Sequence, residues 1–217
     1  MNIEQARENM IAQQFRPCEV LDEATLAAFR HVRREAFVPP ACKDLAFADT
    51  ALPLGQGQTM LEPRLEARLL QELALKPTER VLEVGTGSGF MAALLASQAG
   101  AVVSLEIVPE LAGLARRNLE AAGITNVRVE IANGAEGWKG EGEGLWDAIL
   151  ISGAVPAVPE KLLKQLRPGG RLAAIVGSAP IFAAVLVVAT ENGFKTTKLL
   201  ETGASPLAHF DTPAFRF

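Results

Sequence analysis

Three glycines at alternate positions follow a run of residues typical of a buried strand. The run reads Glu83, Val84, Gly85, Thr86, Gly87, Ser88, Gly89 and Phe90, and a helical pattern begins directly after it. Because glycine carries no Cβ, such a loop can turn sharply and let a ligand approach the backbone closely. Glu106 stands 21 positions after Gly85, the spacing at which a carboxylate reaches the hydroxyl pair of a ribose. Together the two features predict a site for a nucleoside-containing cofactor, and the alternative is a glycine turn that serves only tight packing of strand and helix.

The spacing of the glycines discriminates among nucleoside cofactors. Dinucleotide-binding loops read G-x-G-x-x-G, whereas this loop reads G-x-G-x-G and has Phe90 at the position of the last dinucleotide-loop glycine. No Gly-Lys-Ser or Gly-Lys-Thr follows the turn, which argues against a phosphate-binding loop of the Walker type. The pattern from Glu83 to Glu106 resembles the first two motifs of S-adenosylmethionine-dependent methyltransferases, whose cofactor has a ribose but no phosphate.

That resemblance implies that Glu106 binds the ribose hydroxyls and that the glycine loop binds the methionine end of S-adenosylmethionine, with S-adenosylhomocysteine as the product. After the third strand, Asn133 is expected to contact the adenine edge through its amide, and the alternative is that it only forms a local turn. The predicted cofactor-binding residues are Gln58, Thr59, Glu83, Gly85, Thr86, Gly87, Ser88, Gly89, Glu106, Ile107, Asn133, Gly134 and Ala135.

Composition and charge argue against nucleic acid as a partner. The chain has 217 residues, of which 49% are hydrophobic and 21% charged, as expected for one compact domain. Its 21 Lys and Arg against 25 Asp and Glu give a net charge of -4, which offers no general attraction for a phosphate backbone. The fourth strand is not followed by the Asn/Asp-Pro-Pro-Tyr/Phe sequence of base-modifying methyltransferases, and the chain has no tyrosine.

Cysteine and histidine are scarce. The chain has two of each, Cys18, Cys42, His31 and His209, and their spacing does not suit a zinc cluster, so no metal is predicted. The first residues lack a basic segment followed by an apolar one, and the longest apolar run, residues 181–189, falls short of the roughly 20 residues of a membrane helix. We therefore expect a cytoplasmic protein with free thiols and no membrane contact.

The local patterns divide the chain into two parts. Residues 1–76 predict an N-terminal helical extension, in which Asn2 and Asp22 are candidate helix caps, Pro63 suits the first turn of a third helix, and residues 48–60 form a loop. Residues 77–217 predict the cofactor-binding core, because short strands alternate with helices there. Strands are predicted at 81–84, 102–106, 127–131, 148–151 and 172–176, and helices at 63–76, 91–98, 109–122 and 159–166.

This alternation predicts an α/β fold with a doubly wound, mostly parallel, Rossmann-like sheet, because right-handed crossovers place successive strands in parallel. Two further strand-like runs, residues 183–190 and 195–202, flank an Asn-Gly dipeptide, which favours a tight hairpin turn. We expect this C-terminal antiparallel hairpin to complete the sheet, and the N-terminal extension to pack on the core within one structural domain.

Five segments of the chain form a pattern more specific than the glycine loop alone. They are residues 10–17, 37–39, 52–59, 81–89 and 165–172, and the third reads Leu-Pro-Leu-Gly-Gln-Gly-Gln-Thr. On these segments the chain resembles the protein-L-isoaspartate O-methyltransferase family over nearly its whole length. The resemblance implies a cytoplasmic enzyme that methylates the α-carboxyl group of isoaspartyl residues in proteins and peptides, which then return toward the normal linkage through a succinimide.

Two positions depart from the pattern of that family. Leu61 stands where the family has a serine taken as an active-site residue, and Asn133 stands within a motif that usually reads Gly-Asp-Gly. Loss of one hydroxyl contact to a charged substrate costs about 1.5 to 3 kcal/mol. The residue at position 61 is therefore expected to affect activity on isoaspartate more than cofactor binding.

The implied chemistry needs no general base, because a carboxylate with a reference pKa of about 4 is already a nucleophile at neutral pH. Catalysis would then depend on proximity and on the exclusion of water, which we assign to the loop of residues 55–63. Thr59 is the hydroxyl in this loop that could position the substrate, and the alternative is that it bonds its own backbone.

Three more side chains are candidates for this chemistry. Arg64 and Arg68 stand one helical turn apart and could hold a substrate carboxylate, and the alternative is an exposed face on which they pair with Glu62 and Glu66. His209 could act as a base if the acceptor were a hydroxyl, and otherwise it is an ordinary residue of the C-terminal tail.

Three functions are compatible with these residues. The first is a carboxyl methyltransferase of the isoaspartate-repair type, acting as a monomer on damaged proteins or peptides. The second is a divergent methyltransferase that accepts another substrate, and the third is a module that binds the cofactor without catalysis.

Overall fold

The central feature of the fold is a seven-stranded sheet with helices on both faces. The structure is a computed structural model, and it describes residues 2–138, 140 and 144–210. Two short strands, β1 (Leu52–Gly55) and β2 (Gln58–Met60), pair as a separate antiparallel hairpin. The central strands are β3 (Arg80–Val84), β4 (Ala101–Glu106), β5 (Val127–Ile131), β6 (Trp146–Val155), β7 (Leu166–Ser178), β8 (Ile181–Thr190) and β9 (Gly193–Thr202).

The strand order confirms the predicted fold class. The order is β5-β4-β3-β6-β7-β8-β9. The first five strands in this order are parallel, and β8 is antiparallel to both of its neighbours, β7 and β9. The chain runs outward from β3 to β5 and then returns to the other side of β3 with β6. The carboxyl ends of β3 and β6 therefore flank the point where the order reverses, which is where doubly wound sheets bind ligands.

The described residues contain six α-helices and several shorter helical turns, and α1 and α2 precede the first strand. The α-helices are α1 (Ile3–Met10), α2 (Glu23–His31), α3 (Pro63–Leu73), α4 (Phe90–Ala96), α5 (Pro109–Ala121) and α6 (Glu160–Leu163). Both predicted caps form, since the Asn2 side chain accepts a hydrogen bond from the backbone of Gln5 and the Asp22 side chain accepts one from Thr25.

The structure corrects the predicted loop at residues 48–60, because this segment contains β1 and β2. Leu52 pairs with Met60 across the hairpin, and both side chains are buried against the core. The connection turns through Gln56 and Gly57, which have φ angles of 55° and 71°. Proline and glycine within such short strands mask the alternation by which a strand is recognised.

Several predicted boundaries also differ from the structure. The third helix ends at Leu73 rather than at residue 76, because Ala74 adopts a left-handed conformation with φ of 43°. The helix predicted at 159–166 is the four-residue α6, since Leu166 already pairs with Trp146 as the start of β7. The predicted strands 148–151 and 172–176 are the centres of the longer β6 and β7.

Successive residues of the buried strands face opposite sides of the sheet and build two apolar layers. Val81 and Ala148 belong to the layer on one face, and their neighbours Leu82 and Ile149 belong to the layer on the other. The first layer also contains the buried residues of the N-terminal extension, so the predicted parts 1–76 and 77–217 share this core. Their division into two parts stays a prediction.

The N-terminal extension packs directly against the helix that follows the glycine loop. The Phe29 ring lies 4.7 Å from Phe15 and 5.8 Å from Phe90 between centroids, and the Phe37 ring lies 5.6 Å from Phe90. Phe90 is the first residue of α4. This aromatic cluster therefore joins the extension to the loop at the end of β3.

Within residues 2–138, 140 and 144–210, no helix is both long enough and apolar enough to cross a membrane. In the same residues, no group of three His, Cys, Asp or Glu side chains is arranged to hold a metal ion.

Candidate active site

The glycine loop leaves the end of β3 in a conformation that favours glycine. Gly85, Gly87 and Gly89 have φ angles of 95°, 54° and 84°. A Cβ on Gly89 would lie 3.3 Å from the backbone of Ala115, so this glycine permits α4 to pack closely on α5. A Cβ on Gly85 would lie 2.9 Å from Leu207, which belongs to the C-terminal segment crossing above the loop. The loop therefore serves both packing and access to the space above it.

Glu106 ends β4 beside this loop, and its carboxylate is held by two backbone donors. Oε2 accepts a hydrogen bond of 2.9 Å from the Gly87 amide, and Oε1 accepts one of 3.0 Å from the Val108 amide. The side chain is 5% exposed. Each carboxylate oxygen has a further lone pair free for another donor. This acid is therefore fixed in position and still able to accept two hydroxyl groups.

A cavity that opens to solvent lies over the glycine loop and Glu106, and the space between its walls, including its solvent-filled mouth, is about 510 Å³. Eight of the predicted cofactor-binding residues line it: Gln58, Thr59, Gly85, Gly87, Glu106, Ile107, Asn133 and Gly134. A smaller adjoining cavity of about 270 Å³ is lined by Thr86 and Ser88, and also by Thr59, Leu61, Gly85 and Gly87. Glu83, Gly89 and Ala135 line neither cavity.

Asn133 performs the local role that the sequence left as an alternative. Its side-chain Oδ1 accepts a 3.0 Å hydrogen bond from the Ala135 amide and caps a short helical turn, Gly134–Glu136. Gly134 packs against β3, where an added Cβ would lie 2.2 Å from Val84. Asn133 also lines the larger cavity, so its contact with adenine stays a prediction.

Glu83 lies beneath the glycine loop in a chain of buried hydroxyls. Ser104 Oγ donates to its Oε2 at 2.5 Å and Ser152 Oγ donates to its Oε1 at 2.8 Å, while Thr86 Oγ1 lies 2.6 Å from Ser104 Oγ. Burial raises the pKa of the Glu83 carboxyl from 4.5 to about 8; the serine hydrogen bonds lower it, and the nearby Glu106 raises it further. The sequence did not single out Ser104 or Ser152, whose roles depend on the pairing of three strands.

A second buried acid, Glu66, lines the smaller cavity and pairs with Arg34. Burial raises the pKa of the Glu66 carboxyl above its ordinary value, and the charge of Arg34 limits the rise. The Arg34 guanidinium also donates to the carbonyls of Ala46 and Leu61, at 3.0 and 2.8 Å, and lies over the Phe90 ring. This pair was missed from the sequence, because Glu66 was interpreted as part of an exposed face.

The structure does not bring Arg64 and Arg68 into either cavity. Arg64 pairs with Asp49 and Glu62, and Arg68 pairs with Glu19 and Glu72. Both arginines line a separate groove that includes Leu199. The Arg64 guanidinium is thus held by two acids outside both cavities, including Glu62 as in the alternative, and its contact with a substrate carboxylate stays a prediction.

Part of the C-terminal segment closes the larger cavity, which the sequence did not predict. Leu207, Ala208 and Phe210 line it, whereas the exposed His209 between them does not. The Ser205 hydroxyl lies 3.0 Å from the Thr59 hydroxyl, so Thr59 bonds this segment rather than its own backbone. Because these contacts join residues far apart in the chain, no local pattern could indicate them.

Leu61 is buried at the position where the resemblance leads one to expect a serine. It is 5% exposed and forms part of the wall of the smaller cavity, together with Leu54, Met60 and Met91. The part of the wall that these four residues form is therefore apolar, although Glu66 and Ser152 also line the smaller cavity.

The sheet order, the glycine loop at the switch point and the acid at the end of the next strand define a Rossmann-like methyltransferase. Residues 5–202 match the family described as Protein-L-isoaspartate(D-aspartate) O-methyltransferase (PCMT). The chain therefore belongs to this family, as the sequence motifs predicted.

Curated relatives and solved structures agree with this assignment. The Protein-L-isoaspartate O-methyltransferase of Methanoculleus marisnigri is 41% identical over 89% of this chain and 87% of its own. The Protein-L-isoaspartate O-methyltransferase 1 of Syntrophobacter fumaroxidans is 40% identical over 92% of each chain. A crystal structure of a putative member from Plasmodium falciparum, in complex with S-adenosyl-L-homocysteine, shares the fold with a TM-score of 0.80, at 22% identity over 94% of this chain and 97% of that one.

Proposed function

We propose that this protein is an S-adenosylmethionine-dependent methyltransferase that esterifies the α-carboxyl group of isoaspartyl residues in damaged proteins and peptides. The observation that carries the proposal is the cavity over the glycine loop, with the fixed carboxylate of Glu106 at its wall, in a chain of the PCMT family. The relatives named for this activity cover most of the chain, which supports the same substrate class.

The residues around the larger cavity fit the cofactor. Glu106 would accept the two ribose hydroxyls, since its oxygens keep free lone pairs beside the cavity. Gly85 and Gly87 would face the methionine end, and Ile107 and Asn133 would contact the adenine. When bound there, S-adenosylmethionine supplies a methyl group on a positively charged sulfur.

The reaction requires that the protein position the substrate and exclude water, and it does not require a general base. An isoaspartyl carboxylate is ionised at neutral pH and attacks without losing a proton. Leu61 and Met60 line the smaller cavity and would help to exclude water around a bound substrate, and Thr59, with its hydroxyl, lines both cavities. Such positioning contributes up to about 7 to 11 kcal/mol to a reaction of two bound groups.

One observation favours a second candidate, a methyltransferase of the same family that accepts a different substrate. The wall of the smaller cavity carries Leu61, and its charged lining residue is the acid Glu66. An apolar wall next to an acid suits a carboxylate less well than a polar wall does. Comparison of acceptors in the assay below separates the two candidates.

The remaining predictions are part of the same proposal. The chain would act as a monomer in the cytoplasm, with residues 1–76 as an extension that shapes the substrate side of the site and residues 77–217 as the cofactor-binding core. The two free cysteines, Cys18 and Cys42, support a reducing compartment.

The test combines calorimetry with a methyl-transfer assay. We expect the protein to bind S-adenosylhomocysteine and to methylate an isoaspartyl peptide but not the same peptide with a normal aspartyl linkage. Glu106→Gln should weaken S-adenosylhomocysteine roughly 10- to 100-fold, because a carboxylate accepts hydroxyl protons more strongly than an amide. Glu110→Gln, an exposed change at the start of α5, is the matched control. Absence of S-adenosylhomocysteine binding, or equal methylation of both peptides, would overturn the proposal.

A further inference from the structure

Thr59 occupies the junction of the two cavities. It lines the larger cavity, where the glycine loop and Glu106 lie, and it also lines the smaller one, where Leu61 and Glu66 lie. A methyl group passing from a donor in one cavity to an acceptor in the other would cross this junction. A hydrogen-bond donor here could therefore hold the acceptor carboxylate next to the methyl group.

Ser152, Glu106 and Glu66 also line one or both cavities, but they are less suited to donate a hydrogen bond to a carboxylate. Ser152 also lines both cavities, but its hydroxyl proton is donated to Glu83 at 2.8 Å. Glu106 and Glu66 would repel a carboxylate when ionised. Of the two side chains that line both cavities, Thr59 is thus the one whose hydroxyl proton is not donated to a buried carboxyl group.

The direction of the Thr59 proton depends on Ser205. The two hydroxyl oxygens lie 3.0 Å apart, and either could donate to the other. Ser205 lines neither cavity, whereas Thr59 lines both. If Ser205 donates, the Thr59 proton is free to point into the site, because a hydroxyl has one proton and two acceptor lone pairs.

Backbone hydrogen bonds to Ala154 hold the segment around Ser205 next to Thr59. The Ser205 carbonyl accepts a 3.0 Å hydrogen bond from the Ala154 amide, and the Leu207 amide donates to the Ala154 carbonyl at 2.9 Å. The Leu207 side chain packs against Gly153, where an added Cβ would lie 2.6 Å from it. The end of β6 therefore holds the segment that carries Ser205.

We propose that Ser205 is a positioning residue for the methyl acceptor: its hydroxyl donates to Thr59 Oγ1 and thereby turns the Thr59 hydroxyl toward the substrate carboxylate. The inference rests on the proposed function. It adds Ser205 as the group that orients the Thr59 hydroxyl, which donates to the substrate. Chains of hydrogen bonds polarise one another, so the Ser205 contact also makes Thr59 a stronger donor.

The first test is Ser205→Ala, assayed with the isoaspartyl peptide. We expect KM for the peptide to rise about 5- to 10-fold, because the hydrogen bond holds the carboxylate equally in the bound substrate and in the transition state, so that its loss weakens binding alone. The value of kcat should stay within about twofold, and the affinity for S-adenosylhomocysteine should not change. Ser205→Thr keeps a hydroxyl and should restore most of the affinity for the peptide.

A double-mutant cycle with Thr59→Val separates positioning from an independent contact. Thr59→Val removes the donor itself and should raise KM more than Ser205→Ala does. Because Ser205 acts through Thr59, the double variant should match Thr59→Val alone. Ser97→Ala removes a hydroxyl that bonds only the Leu94 carbonyl and is the control for a serine change away from the site.

The outcomes distinguish this inference from the proposed function. A wild-type protein that binds S-adenosylhomocysteine but does not methylate the peptide would overturn the proposed function and this inference with it. A wild-type protein that methylates the peptide, with Ser205→Ala showing an unchanged KM, a fall confined to kcat, or an effect that multiplies with Thr59→Val, would overturn the inference alone.

Discussion

At the scale of single residues, the site combines two carboxyl groups with opposite environments. Glu106 accepts two backbone amides at the cavity, whereas Glu83 is fully buried and meets only serine hydroxyls. Burial raises the pKa of Glu83 to about 8, so this carboxyl holds its proton at neutral pH. A neutral group beneath the glycine loop leaves Glu106 as the acid with which a bound ribose would interact.

The raised pKa of Glu83 predicts a pH dependence of stability. The folded state keeps a proton that the unfolded state releases between pH 4.5 and 8, so the free energy of unfolding should fall as the pH rises through that window. Glu83→Gln removes this titration and should reduce the total fall by about 2 to 5 kcal/mol. Urea unfolding at a series of pH values measures the effect.

The control for this experiment is Glu201→Gln, which removes an exposed acid. Lys198 lowers the pKa of Glu201 in the folded state through a hydrogen bond, which is the opposite direction to the shift of Glu83, so Glu201 does not contribute to the fall in the free energy of unfolding. The Glu201→Gln protein should retain the wild-type slope between pH 4.5 and 8. A Glu83→Gln protein with that same slope would contradict the buried, protonated state of Glu83.

Whether the role of a residue could be predicted depended on how far along the chain its partners lie. Gly85, Gly87 and Glu106 were found because their spacing within a strand, loop and strand carries the signal. The Thr59 contact with Ser205 joins residues 146 positions apart, and nothing near either residue indicates it. For Arg64 the sequence indicated the ion pair with Glu62, two residues away, but not the one with Asp49, which lies 15 positions away.

At the scale of elements, the corner between β2 and α3 is organised by Arg34. Its guanidinium pairs with Glu66 on α3 and donates to the carbonyls of Leu61 and Ala46. Both charged side chains are almost completely buried. Within the N-terminal extension, one arginine thus joins the turn around Arg34 to the segment that forms the wall of the smaller cavity.

Removal of this arginine should be strongly destabilising. Arg34→Met leaves Glu66 without its cation and should lower the free energy of unfolding by about 3 to 5 kcal/mol, because a buried charge is then uncompensated. Adding Glu66→Leu should recover part of that loss, whereas the carbonyls of Ala46 and Leu61 would still lack their donor. Urea unfolding at neutral pH measures both variants.

Arg64→Met provides the comparison for the Arg34 experiment. Arg64 lies on α3 as well, but its side chain is 36% exposed and its ion pairs should contribute about 0 to 1 kcal/mol. If the combined Arg34→Met and Glu66→Leu changes cost as much as the sum of the single changes, the two groups would not be coupled as described.

The elements themselves were predicted where hydrophobic periodicity was long enough. The strands and helices from residue 80 onward and the hairpin of β8 and β9 followed from alternation and from the Asn-Gly turn. The hairpin of β1 and β2 did not, because the nine residues 52–60 include Pro53, Gly55 and Gly57 and show no period. Its strands form because Leu52 and Met60 are buried against the core, which is a tertiary effect.

At the scale of the whole molecule, the site is assembled from both ends of the chain around the switch point of the sheet. The extension contributes Thr59 and Leu61, the core contributes the glycine loop and Glu106, and the C-terminal segment contributes Leu207. The class of fold could be predicted because alternating strands and helices have few arrangements. The closure by residues near the C-terminus could not, since it depends on where the completed sheet brings them.

That closure predicts a specific effect of Leu207→Ala. Leu207 lines the larger cavity and touches Gly85 and Gly153, so its truncation should loosen the segment above the glycine loop. We expect the affinity for S-adenosylhomocysteine to fall roughly 5- to 30-fold, as lost apolar contact of about 1 to 2 kcal/mol implies. Leu200→Ala truncates another half-buried leucine, on β9, and should leave the affinity unchanged. Calorimetry on folded variants measures both, and equal affinities of Leu207→Ala and wild type would show that this segment does not close the cofactor cavity.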